Sequence, residues 1–153
     1  MINRLHPLQT TNFLLIALLR IKELEYLYGR NYDLHNNAIL DIFIDIMRTN
    51  FEVRADITSV AVDISSESAK IYMETFFPNE LEVYVRNLKS STKLFLEFKL
   101  QDSEFVIELV LKSPSSRVDP IRYSTAFTSL KELEGFVMAY GNVAIKSTLD
   151  IKD

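Results

Sequence analysis

The strongest constraint on this 153-residue chain is a pair of apolar segments separated by a three-residue turn. Lys93-Leu94-Phe95-Leu96-Glu97-Phe98-Lys99-Leu100 and Glu104-Phe105-Val106-Ile107-Glu108-Leu109-Val110-Leu111-Lys112 flank Gln101-Asp102-Ser103. Side chains alternate across a strand, so Leu94, Leu96, Phe98 and Leu100 share one face with Phe105, Ile107, Leu109 and Leu111. The other face would be polar if it met water, yet it carries Phe95, Val106 and Val110 among its charges. The pattern predicts an antiparallel hairpin covered on both faces, the second face by a helix of this chain or by a partner.

Three turns are compatible with the pattern. A two-residue turn at Asp102-Ser103 pairs Leu100 with Phe105, Phe98 with Ile107, Glu97 with Glu108 and Lys93 with Lys112. Like charges directly across a ladder destabilise, by roughly 0.2–1 kcal/mol. A four-residue turn pairs Lys99 with Glu108 but leaves Phe105 in the turn, and a bulge is the third solution. In the first register Glu97 and Glu108 converge beside Phe95, Val106 and Val110, an arrangement able to receive a basic group from a partner.

Upstream, Leu8 to Tyr28 has helical spacing, with Phe13, Ile16, Leu19, Leu24 and Leu27 on or near one stripe. Leu14, Leu15, Leu18 and Ile21 widen that stripe, which predicts burial on more than one side. Gly29 stands where a left-handed cap belongs. A second helix is expected from His35 to Asn50, capped by Asp33 or Asn36. The run Phe13 to Leu19 is too short for a membrane span of about 20 residues and has no cleavage site after it, so it reads as a buried helix.

The period then becomes two. Phe51, Val53, Ala55 and Ile57 alternate with polar residues, and Val60, Val62 and Ile64 follow one residue out of phase, which calls for a bulge or tight bend near Thr58-Ser59. Residues 67–77 fit helix or strand, and the i, i+3, i+4, i+7, i+8 spacing from Ala69 to Phe77 favours the helix. Leu81, Val83 and Val85 alternate as a strand, with Tyr84 on its charged face. A short strand at Ile121 to Ser124 leads to a helix from Thr128 to Tyr140, with Ser129 and Glu132 as a capping box, Gly141 as its end, and a last strand at Val143 and Ile145. The expected fold is one α+β domain over 1–153: an N-terminal helical pair on a mostly antiparallel sheet of about five or six strands, with one further helix near the C-terminus.

Chemistry is sparse. The chain has no cysteine and only three glycines, which excludes disulfides, thiolate-bound zinc and glycine-rich phosphate loops. His6 and His35 lack partners at metal-ligand spacing, and no serine sits in a nucleophile elbow. Asp41 and Asp45, one helical turn apart, read as a solvated stripe. No catalytic residue, metal ligand or cofactor is expected. Glu97-Phe98-Lys99 resembles the Glu-x-Lys element of restriction-type nucleases, a family that also needs an acidic residue on the preceding strand; only Glu80 or Glu82, near Pro78, stands close.

Ala126-Phe127-Thr128-Ser129-Leu130-Lys131-Glu132-Leu133-Glu134-Gly135-Phe136 resembles the strand-to-helix junction of SseB-like domains. That family commonly has Pro-Val before the Phe and an Asn-Pro further on, where this chain has Thr125-Ala126 and no Asn-Pro. The resemblance implies a small bacterial α+β accessory domain without established catalysis and transfers no functional residue.

A net charge of −4 argues against a nucleic-acid partner and permits a basic protein partner. The expectation is a non-enzymatic, cytoplasmic binding protein of the bacterial immunity or antitoxin type, occluding a basic toxin or effector through Glu97, Glu108, Phe95, Val106, Val110 and Tyr84. A homodimer is allowed. The alternatives are a secretion chaperone-like accessory protein, or a small enzyme or ligand-binding domain with a pocket between the sheet and the N-terminal helices.

Overall fold

Helix α1 (Pro7–Tyr28) begins where proline costs no hydrogen bond and ends at Gly29, whose φ of 64° is the left-handed cap its sequence foretold. The structure, a computed structural model, describes residues 6–29, 54–55, 59–101 and 104–151. The expected helix at 35–50, with His35, Asp41 and Asp45, lies outside those residues, as do Thr58 and the turn residues Asp102 and Ser103.

The remaining elements are β1 (Arg54–Ala55), β2 (Ser59–Asp63), α2 (Ser66–Phe76), a 3-10 turn (Pro78–Glu80), α3 (Leu81–Asn87), β3 (Lys93–Gln101), β4 (Glu104–Lys112), β5 (Ile121–Phe127) and α4 (Leu130–Ile151). The sheet is an antiparallel meander in the order β1-β2-β3-β4-β5. Four of its strands are full length, where five or six were expected, and β1 is only a two-residue edge. Ala55 pairs with Val60, while Phe51, Val53 and Ile57 of the first apolar set lie outside the described residues.

The hairpin adopts the register of the two-residue turn: Leu100 pairs with Phe105, Phe98 with Ile107, Glu97 with Glu108 and Lys93 with Lys112. Keeping Phe98, Phe105 and Ile107 fully buried outweighs the like-charge pairs, because burying one such side chain stabilises by about 1.5–3 kcal/mol.

Three sequence expectations are corrected. Residues 81–87 form a helix, not a strand: Leu81, Tyr84 and Leu88 face the core at helical spacing, while Val83 and Val85, the residues that made the alternation, are exposed. Helix α4 runs through Gly141 to Ile151, so Val143 and Ile145 belong to it and no strand follows within the described residues. At Gly141 the two helices pack closely: a Cβ would lie 3.1 Å from the Thr11 methyl of α1, a tight contact that a shift of a few tenths of an ångström would relieve. On α1 the buried side is Phe13, Leu14, Ala17, Leu18 and Ile21, whereas Ile16, Leu19 and Leu27 are exposed.

The core lies between the first face of the sheet and helices α1, α2 and α4. Phe13 of α1 meets the ring of Phe98 edge-on at 5.5 Å, and Phe136 of α4 meets Phe127 at 5.2 Å. Buried hydroxyls tie the helices together: Thr10 bonds Ser68 at 3.0 Å, and Ser68 bonds Tyr140. Helix α2 is capped by Ser65, whose hydroxyl accepts from the Ser68 N–H, and α4 starts with Ser129 accepting from Glu132.

Candidate functional site

The second face of the sheet is where the sequence placed its binding residues, and register explains what gathers there. Phe95, Glu97 and Lys99 of β3, Val106, Glu108 and Val110 of β4, and Arg122, Ser124 and Ala126 of β5 all project to that side. Lys99 stands opposite Val106, so Glu108 is its diagonal neighbour, within reach of a long side chain. Arg122 stands opposite Val110, again diagonal to Glu108.

The result is a closed ion network. Lys99 Nζ contacts Glu108 Oε1 directly and lies 3.6 Å from Glu97 Oε1. Arg122 Nη1 lies 3.3 Å from Glu97 Oε1 and 3.4 Å from Glu108 Oε1. The Ser124 hydroxyl donates to Glu108 Oε2. Burial alone would raise the Glu108 pKa; hydrogen bonds from Lys99 and Ser124, with the charges of Lys99 and Arg122, outweigh it and hold the carboxyl below the usual range. Glu97 and Glu108 therefore converge as the register requires, but the basic groups they receive belong to the same chain.

The other residues of the expected site are buried within the chain. Phe95, Val106 and Val110 are 5–7% exposed within the chain by itself, so no partner is needed to cover them. Tyr84 is 1% exposed, against the rim of Tyr123, and its hydroxyl makes no hydrogen bond among the described residues. Burial, followed by the neighbouring Tyr123, pushes its pKa up to about 12. Sequence reasoning brought Lys99 to Glu108 only in the register of a four-residue turn, and missed Arg122 and Ser124. Lys99 was legible, being two residues from Glu97 and hence on its face; Arg122 and Ser124 needed the pairing of β4 with β5.

No group of three His, Asp or Glu residues able to hold a metal ion occurs among the described residues. Glu80 and Glu82 sit on the 3-10 turn and α3, not on a strand beside Glu97; the acidic residue on the neighbouring strand is Asp63, at the end of β2 opposite Phe95. A cleft of about 350 Å³ opens at the loop end of the sheet, lined by Asn87, Lys89, Thr92, Ser113, Asp119 and Ile121 among others. It lies away from α1, where the sequence reading placed a pocket.

No family model, curated protein or solved structure matches this chain. Phe127 ends β5 and Leu130 begins α4, so Thr128-Ser129 joins a strand to a helix, a local feature that assigns no family.

What the described surface does offer is apolar area on helices. Leu15, Ile16 and Leu19 of α1 are 40%, 49% and 56% exposed. Thr11 lies against Gly141, and Lys22 is ion-paired with Glu134, so α1 and α4 run antiparallel. That alignment brings Leu15 level with Met138 of α4, itself exposed. Among the described residues no helix is long and apolar enough to cross a membrane.

Proposed function

We propose that this chain acts by binding another protein, as an immunity- or antitoxin-type inhibitor does, and that the outer side of the α1–α4 pair makes the contact. The observation that supports this reading is the exposure of Leu15, Ile16 and Leu19 on a helix whose opposite side is fully buried. Clustered apolar side chains in water are a cost to a monomer and mark interaction surfaces. The net charge of −4 suits a basic partner through its long-range field. Glu97 and Glu108 contribute little to that field, because Lys99 and Arg122 neutralise them in place.

The test is co-expression with the product of the neighbouring reading frame, followed by affinity measurement on the purified pair. A Leu15→Glu/Leu19→Glu variant keeps its circular dichroism and thermal midpoint, because both side chains are already exposed, and loses affinity by about tenfold or more. Unchanged affinity in that folded variant removes the α1–α4 surface from the reading.

A further inference from the structure

The outer edge of β5 ends the sheet, and one hydroxyl shows which of its backbone groups are free. Tyr72 Oη lies 3.0 Å from the Ile107 carbonyl oxygen and 2.9 Å from that of Tyr123. One atom reaches both only if the two carbonyls point into the space between β4 and β5. In an antiparallel ladder the residues alternate, so Ile121, Tyr123, Thr125 and Phe127 direct their N–H and C=O groups at β4. Arg122, Ser124 and Ala126 then direct theirs outward. Their backbone groups have no hydrogen-bond partner among the described residues, and all three residues are exposed.

Natural edge strands are usually blunted by lysine, proline or a bulge. This one is seven residues long, its only nearby proline (Pro120) precedes the strand, and its only charge, Arg122, is turned onto Glu97 and Glu108.

We propose that β5 pairs with β5 of a second copy of this chain, antiparallel, across a twofold axis at Ser124. The strand is self-complementary in that register. Ser124 meets its own copy and Arg122 meets Ala126, with two backbone hydrogen bonds for each such pair. Arg122 faces a methyl group rather than a second guanidinium, so it stays on its glutamates; the register centred on Arg122 would set the two cations opposite each other. On the core face Ile121, which is 38% exposed, meets Phe127, and Tyr123 meets Thr125, so the apolar surface continues from one sheet into the next. A contact built on one strand edge is small, and the dimer dissociates on dilution.

Light scattering and sedimentation over a dilution series read the mass directly, with the wild type moving from 17.7 kDa towards twice that value as concentration rises. Ala126→Pro removes an outward N–H without touching the β4 ladder, and that variant stays at the monomer mass throughout. Hydrogen exchange on the wild type gives a second readout: the amides of Arg122, Ser124 and Ala126 slow by about tenfold or more between dilute and concentrated samples, while those of Tyr123 and Thr125 are protected in both. A wild-type chain that remains monomeric at its highest soluble concentration overturns the proposal. So does a dimer that survives Ala126→Pro, or one in which the three edge amides exchange as fast as in the monomer; either places the contact elsewhere.

Discussion

Replacing Glu108 by glutamine decides whether the carboxylates on the second sheet face hold the fold together or burden it. The side chain is 6% exposed and receives Lys99, Arg122 and the Ser124 hydroxyl. Glutamine keeps the volume and one acceptor but removes the charge, leaving two cations to share Glu97. Removing one partner of a buried ion pair costs about 3–5 kcal/mol. Here the loss is smaller, because Lys99 retains Glu97 at 3.6 Å and the Arg122 side chain is 41% exposed to water. About 2 kcal/mol is expected at pH 7. Glu97→Gln, at a more exposed position, loses under about 1 kcal/mol.

The pH dependence has a definite sign. The Glu108 carboxyl titrates lower in the folded chain than in the unfolded one, so it adds stability above its unfolded pKa of about 4.3. That stability is lost as pH falls through the folded value. Urea denaturation at pH 7 and again in acid should therefore show the deficit of Glu108→Gln shrinking as the wild type becomes protonated. A variant as stable as the wild type at pH 7, or more stable, refutes the reasoning. It would mean that the facing glutamates repel each other in place and are kept for a role outside folding.

Helix α1 gives a contrasting pair of expectations, since Leu18 is 6% exposed and Leu19 is 56% exposed. Leu18→Asp unfolds the domain, as an unpaired buried carboxylate costs several kcal/mol, and loss of the cooperative thermal transition reports it. The buried tyrosines set the alkaline limit: burial is the leading cause that pushes Tyr84 and Tyr140 up to about 12, so the folded form holds their protons more tightly than the unfolded form. Stability from these phenols is complete below about pH 10 and disappears as pH rises towards 12, with ionisation at 295 nm coinciding with unfolding; a phenolate signal from either residue in the folded chain near pH 10 would contradict the burial.

The likeness of sequence to structure is greatest where a signal repeats locally. The hairpin register follows from two apolar sets with a period of two, since a slip by one residue would turn Phe98 and Ile107 away from the core. The ends of α1 and the starts of α2 and α4 follow from Gly29, Ser65 and Ser129, each acting within its own turn. Residues 81–87 show the limit: both periods are present in seven residues, and the packing of Leu81, Tyr84 and Leu88 against the core goes with the helix. Gly141 looks like a helix end until Thr11 of a distant helix fills the space beside it. The same holds for the charged face. Sequence brought Glu97 opposite Glu108, but the pairing of β5 with β4 brought Arg122 and Ser124 to them and turned a candidate docking pair into a charge-paired network centred on the buried Glu108. Capping and alternation act between neighbours in the chain, whereas burial and charge pairing depend on which elements the tertiary fold sets side by side.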